Sequence, residues 1–159
     1  MLYRLFRFLL PAIGAFAAVL ILFLFENTTG LALLIAPFGA SCVIVFALPD
    51  SPLAKPRNVV GGHVISTITG LTLLHVFGQH AWTLAAGVAL SIMLMQVTKT
   101  LHPPAGADPL VVILAGAGWS FLITPVLAGA LLLVGISAAY RFAQQSSPTR
   151  QTKESINSK

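Results

Sequence analysis

The sequence has few charged residues: lysine, arginine, aspartate and glutamate make up only 8% of its 159 positions. Soluble domains carry roughly a quarter of such residues, because a water-exposed surface has to be solvated. With 57% hydrophobic residues, this chain cannot cover a soluble surface, so lipid has to be the solvent for most of it. The composition therefore excludes a water-soluble globular domain and the enzyme classes that need one.

Cysteine and acidic residues are scarce as well. The single cysteine, Cys42, excludes an intramolecular disulfide or a multi-cysteine metal site, and its apolar neighbours favour a buried thiol. There are four acidic residues and no P-loop, dinucleotide-binding fingerprint or nucleophile elbow. We therefore expect no enzymatic activity, no metal and no cofactor, with an intramembrane hydrolase built on Ser41 and His102 as a minor alternative.

Long apolar segments dominate what is present. Two of the six segments contain helix-breaking residues: the second has Pro37 and Gly39, and the fifth opens with Pro103 and Pro104. Neither should form one continuous helix, so each is either a broken span or a re-entrant hairpin. The six segments are Phe8–Phe25, Leu31–Leu48, Val59–Phe77, Trp82–Thr98, an irregular stretch around Thr98–Ala117, and Trp119–Tyr140.

The basic residues predict the topology. If all six segments cross, all nine lysines and arginines fall on one side of the membrane, whereas re-entrant second and fifth segments would divide them six to three. Because basic residues accumulate in cytoplasmic loops, we expect six crossings of the inner or plasma membrane with both termini cytoplasmic. The basic residues lie at chain ends and in short connections, so no nucleic-acid partner is expected.

A short internal repeat divides the chain. Pro37-Phe-Gly-Ala-Ser41 and Pro104-Ala-Gly-Ala-Asp108 share one pattern at an offset of 67 residues, and this offset also superposes the first segment on the fourth and the third on the sixth. Three crossings per half would invert the second half relative to the first. The predicted fold is an all-α membrane protein with two inverted three-segment repeats.

The predicted domain organisation follows from this repeat. Residues 1–143 form a single transmembrane domain, with halves of about 1–77 and 78–143, in which the second and fifth segments are broken or re-entrant. Residues 144–159 are polar and lack an apolar period, which predicts a disordered cytoplasmic tail.

The repeated motif suggests a binding site. Helix N-termini that meet near the midplane expose unpaired N–H groups and favour an anion. Ser41 and Asp108 hold equivalent positions and are expected to cap the two half-helices, with Pro109 at the first helical position; the alternative is that they only cap kinked packing helices. The candidate binding residues are Gly39, Ala40, Ser41, Arg57, His63, Lys99, His102, Pro103, Pro104, Gly106, Ala107 and Asp108.

Ionisable groups inside a membrane need a partner or a function. Lys99 is expected to pair with Asp108, which leaves His102 as a hydrogen-bond donor or proton relay; the alternative for His102 is a tie to backbone freed by the prolines. His63 is a candidate second pore histidine, although its place on the third segment also fits simple packing.

The loop before the third segment is a weaker candidate. Arg57 could attract anions to a cytoplasmic mouth, although a rigid loop that carries the positive-inside charge explains it as well. Asn58 is a plausible cap for the third helix.

The run His102-Pro-Pro-Ala-Gly-Ala-Asp-Pro109 resembles the signature of the HPP family of integral membrane proteins, which is named for that tripeptide. Three further stretches are similar to other recurrent motifs of the family: Pro37-Phe-Gly-Ala-Ser41, Leu48-Pro-Asp-Ser-Pro52 and Pro56-Arg-Asn-Val-Val-Gly-Gly-His63. The resemblance implies nitrite transport, reported for plastid and cyanobacterial members, and a four-spanning description that differs from six crossings.

The residues and the resemblance together favour a transporter or channel for a small monovalent anion, with nitrite as the leading candidate. Because six short segments make a thin bundle, we expect a homo-oligomer in the lipid bilayer, with a dimer as a guess. Two alternatives remain: a non-transporting scaffold or assembly protein, and a conduit for a neutral solute or cation with Asp108 as the selective group.

Overall fold

The structure is a computed structural model that describes residues 2–145, and this part of the chain is all-helical. The helices, in order, are α1 (Leu2–Thr29), α2 (Ala36–Cys42), α3 (Pro56–Phe77), α4 (Ala81–Val97), α5 (Asp108–Leu114) and α6 (Ala128–Gln145). Four short helical turns adjoin them: Val43–Ala47 after α2, Pro52–Ala54 before α3, Pro103–Ala107 before α5 and Leu122–Leu127 before α6. Of the tail predicted as disordered, Gln144 and Gln145 continue α6, and the rest lies outside the described residues.

The two segments that contain the helix-breaking prolines form shorter helices, as the sequence predicts. The apolar helices of the second and fifth segments are short, Ala36–Ala47 and Pro103–Leu114. A membrane-spanning helix needs about 20 residues, so neither of these can cross the hydrocarbon as a helix alone. The prediction that both segments are interrupted is confirmed. Three helices are long and apolar enough to cross a membrane: Phe8–Thr29, Pro56–Phe77 and Leu122–Gln144.

Extended backbone precedes each of the two half-helices. Ile35 (φ −127°, ψ 149°) and His102 (φ −136°, ψ 101°) are the extended residues at which the helical turns begin, and prolines occupy the first positions that follow. Proline suits this place because its missing N–H would have no helical acceptor. In the second segment, the carboxylate of Glu26 accepts the backbone N–H groups of Leu33 and Leu34 at 3.0 and 3.1 Å. These two N–H groups of the extended chain are therefore hydrogen-bonded inside the protein.

Contacts at the two ends of the bundle show which helix ends lie together. Arg141 on α6 donates to the carbonyl of Pro49, and Arg57 on α3 donates to the backbone at the end of α4 at 2.8 Å. At the opposite end, the rings of His75 and Trp119 lie 5.7 Å apart, centroid to centroid. The start of α3 and the ends of α4 and α6 therefore lie at one end of the bundle, and both arginines lie there too.

Helix α3 is central, and glycines let the extended segments pack closely against the long helices. A Cβ atom at Gly62 of α3 would lie 3.1 Å from the carbonyl oxygen of Thr100. A Cβ atom at Gly129 of α6 would collide with the carbonyl oxygen of Leu33. Both extended stretches therefore pack against a helix backbone where a side chain would not fit.

Gly129→Ala should destabilise the fold. The added methyl group meets the Leu33 carbonyl, which cannot rotate away, and overpacking of this kind costs about 1–3 kcal/mol. Gly135→Ala, on the same helix, is the matched control because its Cβ has nothing within 4 Å. Thermal unfolding in detergent should show a lower Tm for Gly129→Ala and an unchanged or higher Tm for Gly135→Ala. Equal Tm values for the two variants would contradict the packing.

Candidate functional site

Four buried polar side chains meet inside the bundle: Ser41 of α2, His63 of α3, His102 before the fifth segment's helical turns, and Asp108 of α5. We call this set the polar cluster. Ser41 Oγ lies 2.9 Å from Nε2 of His63 and 2.9 Å from Nε2 of His102. His63 Nδ1 lies 2.8 Å from Asp108 Oδ2. The four side chains are at most 1% exposed, so the cluster is a continuous hydrogen-bonded chain without solvent contact.

The polar cluster is anchored at both ends. His102 Nδ1 donates to the carbonyl oxygen of Leu53 at 3.0 Å, and the hydroxyl of Thr67 donates to Asp108 Oδ2 at 3.4 Å. A buried carboxylate requires a counter-charge or hydrogen bonds, and His63 and Thr67 supply them on one oxygen. The other oxygen, Oδ1 of Asp108, is buried and has no hydrogen-bond partner within residues 2–145.

The spacing of residues on α3 explains why this helix carries the cluster. His63, Ser66, Thr67 and Gly70 are all buried and fall at helical spacing, so they form one inward stripe. Ser66 adds a second tie, because its hydroxyl donates to the carbonyl oxygen of Ala105 at 2.5 Å. Gly62 lies beside the stripe, where a Cβ atom would be only 2.8 Å from that of His102. The third segment is thus a membrane helix with a polar face turned inwards.

An apolar groove of about 800 Å³ lies on the other face of the two half-helices. Ala40 lines this groove and the next residue, Ser41, belongs to the cluster, just as Ala107 lines it and is followed by Asp108. The half-helices themselves therefore separate the groove from the cluster. The lining residues are Ala36, Pro37, Ala40, Val43, Ile44, Pro103, Pro104, Ala107, Leu110, Val111 and Leu114.

The structure divides the predicted site residues into four groups. Ser41, His63, His102 and Asp108 form the cluster, and Ala40, Pro103, Pro104 and Ala107 line the groove. A Cβ atom at Gly39 or Gly106 would have nothing within 4 Å. Lys99 and Arg57 lie apart from the cluster and the groove, since they are exposed where α4 ends and α3 begins.

The predicted helix caps are wrong. Helix α2 begins at Ala36, so Ser41 lies within it, and its hydroxyl reaches the histidines instead of a helix end. Asp108 is the first residue of α5, and its carboxylate accepts no capping hydrogen bond from the backbone N–H groups of the helix. Asn58 does not cap α3, which begins at Pro56; its amide donates to the carbonyl oxygen of Leu101 at 2.9 Å. In each case a proline lies at one of the first two positions of the helix, and the polar side chain makes a tertiary contact instead.

The predicted Lys99–Asp108 ion pair is also wrong. Asp108 pairs with His63, 45 residues away in sequence, while Lys99 is exposed just after α4. A long flexible lysine near the end of a membrane segment is more stable with its ammonium group in the polar interface. Thr67 was missed, although it lies four residues after His63 and therefore on the same helix face.

Asp108→Ala should destabilise the protein strongly. It removes the acceptor of His63 Nδ1 and of the Thr67 hydroxyl, and breaking a buried pair costs about 3–5 kcal/mol. Asp50→Ala is the matched control, because the Asp50 side chain is fully exposed and only 3.9 Å from Arg141. Thermal unfolding in detergent should separate the two variants by roughly 10 °C. A Tm for Asp108→Ala equal to that of the control would contradict a structural role for the pair.

Comparisons with known proteins find transmembrane relatives. A transmembrane protein of Dictyostelium discoideum is 37% identical over 134 residues, which cover 77% of this chain and 47% of that protein. A second transmembrane protein of the same organism is 36% identical over 109 residues, which cover 64% of this chain and 35% of the relative. The chain thus spans less than half the length of these curated relatives. No solved structure matches it.

The family model described as the HPP transmembrane region matches residues 3–150. The match includes the polar cluster, the groove and every helix from α2 to α6. Because it covers almost the whole chain, this protein belongs to the HPP family of integral membrane proteins.

Proposed function

We propose that this chain is a membrane transporter or channel for a small monovalent anion and that the polar cluster is its working part. The observation that carries the proposal is the position of the cluster, where two interrupted segments meet against α3. Ionisable side chains in a membrane interior cost free energy and are found mostly where they bind or move something. Interrupted helices beside such groups are the usual construction of secondary-transporter sites.

Several contacts support an inverted repeat as the framework of this site. The glycines that admit the extended segments, Gly62 and Gly129, are 67 residues apart, as are their partners, Thr100 and Leu33. Each half therefore presses its extended stretch against the long helix of the other half. The groove walls follow the same offset, pairing 36 with 103, 37 with 104, 40 with 107, 43 with 110 and 44 with 111.

We further propose six crossings with the arginine-bearing end of the bundle in the cytoplasm of a cell membrane. The support is that Arg57 and Arg141 lie at the same end, as the positive-inside rule requires of cytoplasmic ends. Each broken segment would cross as extended chain plus half-helix. A homo-oligomer remains part of the proposal, because the apolar groove offers a surface on which a second copy could pack.

The chemistry of the cluster favours an anion over a cation. The cluster contains two imidazole rings and a hydroxyl but one carboxylate, and that carboxylate already has a hydrogen bond to His63. Nitrite is the first candidate to test because of the family resemblance. A conduit for a neutral solute or a cation would instead need Asp108 to be free to bind it.

Anion uptake into proteoliposomes tests this function. The purified chain should take up nitrite faster than empty liposomes do, with nitrate, formate and chloride as competitors. Gly106→Leu should reduce uptake about tenfold or more, the factor that corresponds to 1.4 kcal/mol, because the leucine side chain would fill the open space beside the half-helix. The variant should fold, since a Cβ at Gly106 meets nothing within 4 Å, and Gly135→Leu is the matched control. Absence of uptake for all four anions by folded protein would favour a scaffold role.

A hydrolase has to be considered as a second candidate, because Ser41, His63 and Asp108 reproduce the order and distances of a Ser-His-Asp triad. Two features weigh against it. Ser41 is completely buried within α2, and its hydroxyl is shared with His102. A substrate carbonyl would need open space beside Ser41 Oγ, so we propose that the chain is not an enzyme.

A fluorophosphonate probe checks this point directly. The folded chain in bilayers should remain unlabelled because the Ser41 hydroxyl is inaccessible, and a soluble serine hydrolase in the same sample serves as the positive control. Labelling that disappears in Ser41→Ala would establish a reactive serine and overturn the non-enzymatic proposal.

A further inference from the structure

The polar cluster has more hydrogen bonds than it has protons to form them, if both histidines are neutral and Asp108 is ionised. Ser41 Oγ is 2.9 Å from Nε2 of His63 and 2.9 Å from Nε2 of His102. A hydrogen bond needs a proton between its two heavy atoms. The Ser41 hydroxyl has one proton and can donate to one ring only. The second bond therefore needs a proton on Nε2 of one of the two histidines.

This proton cannot come from the Nδ1 atoms of the two rings, because each Nδ1 contact needs a proton of its own. His102 Nδ1 faces the carbonyl oxygen of Leu53, which can only accept, so Nδ1 carries a proton. His63 Nδ1 faces Asp108 Oδ2, and this contact also contains a proton. A neutral imidazole has a single N–H. With both rings neutral and Asp108 ionised, the cluster is therefore one proton short.

One missing proton is the smallest number that the hydrogen bonds of the cluster require. Ser41 Oγ also lies 3.2 Å from the carbonyl oxygen of Pro37, at a longer distance than either ring nitrogen. A hydroxyl that donated to this carbonyl would need protons on both Nε2 atoms, which raises the count to two.

We infer that the polar cluster holds one proton beyond the ionised Asp108 and two neutral histidines, and that Ser41 relays this proton between His63 and His102. In one arrangement, His63 Nε2–H donates to Ser41 Oγ and the hydroxyl donates to His102 Nε2. In the other, the His63 proton has moved to Ser41 Oγ while the former hydroxyl proton has moved to His102 Nε2. One N–H and one O–H bond break and one of each forms, so no proton is gained or lost.

Charge favours the extra proton. It makes the cluster of Asp108, His63, His102 and Ser41 neutral as a whole, and an uncompensated charge in a low-dielectric interior is strongly disfavoured. The buried Asp108 Oδ1 strengthens this argument, because no donor within residues 2–145 stabilises it. In the arrangement with the proton on His63, the opposite charges are in direct contact at 2.8 Å.

The elements around the cluster bring few other ionisable groups near it. Cys42 on α2 is buried next to Ser41 in sequence, and α4 contains no acidic, basic or histidine residue. On α3 the other ionisable side chains, Arg57 and His75, lie near its ends. Lys55, in the loop, is exposed. α5 contributes Asp108 alone, and the described ionisable residues of α6, Tyr140 and Arg141, lie towards the end of that helix.

The relay has a direction along the bundle. Leu53 lies in the turn just before α3, whereas Thr67, which contacts Asp108, is about 17 Å along a helix of about 33 Å at 1.5 Å per residue. The chain of hydrogen bonds thus leads from near one end of the bundle to its middle. Resting on the proposed function, an anion that enters with one proton would leave the charge of this region unchanged, so uptake should be electroneutral with one proton per anion.

Nitrogen-15 NMR of histidine-labelled protein in bilayers tests the proton count without any transport. At about pH 9, ordinary histidines with a pKa near 6.5 are neutral. We expect a proton on one of the two cluster Nε2 atoms, assigned with His63→Gln and His102→Gln, and His75→Gln identifies a ring outside the cluster. Bare Nε2 atoms on both His63 and His102 would overturn the inference.

Proteoliposomes test the coupling, with nitrite as the probe and empty liposomes as the baseline. An inward proton gradient should drive uptake, and a potassium-valinomycin potential without a proton gradient should not. Ser41→Ala should lower gradient-driven uptake at least about tenfold, the factor that corresponds to 1.4 kcal/mol, whereas Ser41→Thr retains the hydroxyl and should restore part of it. His75→Gln should behave as wild type.

The two proposals fail in different ways. Nitrite uptake that follows the membrane potential and ignores the proton gradient would overturn the coupling and leave the transport function standing. Absent uptake together with a protonated Nε2 would overturn the transport function, while supporting the extra proton. Full gradient-driven uptake by folded Ser41→Ala would overturn the relay.

Discussion

The contact between His63 and Asp108, 2.8 Å long and shielded from solvent, is the interaction on which the interior of this protein depends. A carboxylate in a membrane interior needs a counter-charge or hydrogen bonds, and His63 Nδ1 forms a hydrogen bond with it. The same contact fastens the half-helix α5 to the central helix α3. Through its other nitrogen, His63 then holds Ser41, which fastens the second half-helix, α2, to the same place. One imidazole therefore joins both interrupted segments.

The interruption itself creates a second demand, because extended backbone in a membrane must find its hydrogen bonds inside the protein. In the second segment, a residue close in sequence provides the acceptor: the Glu26 carboxylate accepts hydrogen bonds from the backbone N–H groups of Leu33 and Leu34. Close packing adds to it, since Gly62 and Gly129 let extended backbone approach the long helices. The position of polar groups inside the bundle is thus a consequence of where the prolines break the helices, and the cluster forms at the level of these breaks.

The sequence correctly predicted where the second and fifth segments are interrupted, but it did not predict the contacts of Ser41 and Asp108. Pro37 and Pro104 predicted interrupted segments correctly, because proline acts locally on the backbone. The capping roles of Ser41 and Asp108 were wrong, since they assumed that the helices begin at these residues. The partner of Asp108 was also wrong: Lys99 is near in sequence, but the histidine that binds it is 45 residues away. Such a contact depends on how α3 packs against α5, which no local pattern encodes. Thr67 could have been found, because it follows His63 by one helical turn.

The arrangement places the buried cluster directly behind the groove, which bears on the proposed transport function. On the groove side, the half-helices present the small residues Ala40 and Ala107 among larger apolar ones, and each of these two alanines is followed directly by a member of the cluster. The barrier between groove and cluster is therefore one helix wall thick. Ser41 on α2 and Asp108 on α5 both form hydrogen bonds with His63. A change in where the protons of the cluster lie would therefore alter the strength of both hydrogen bonds. In the proposed relay, a proton that moved from His63 to His102 would weaken the charge pairing between His63 and Asp108, which fastens α5 to α3.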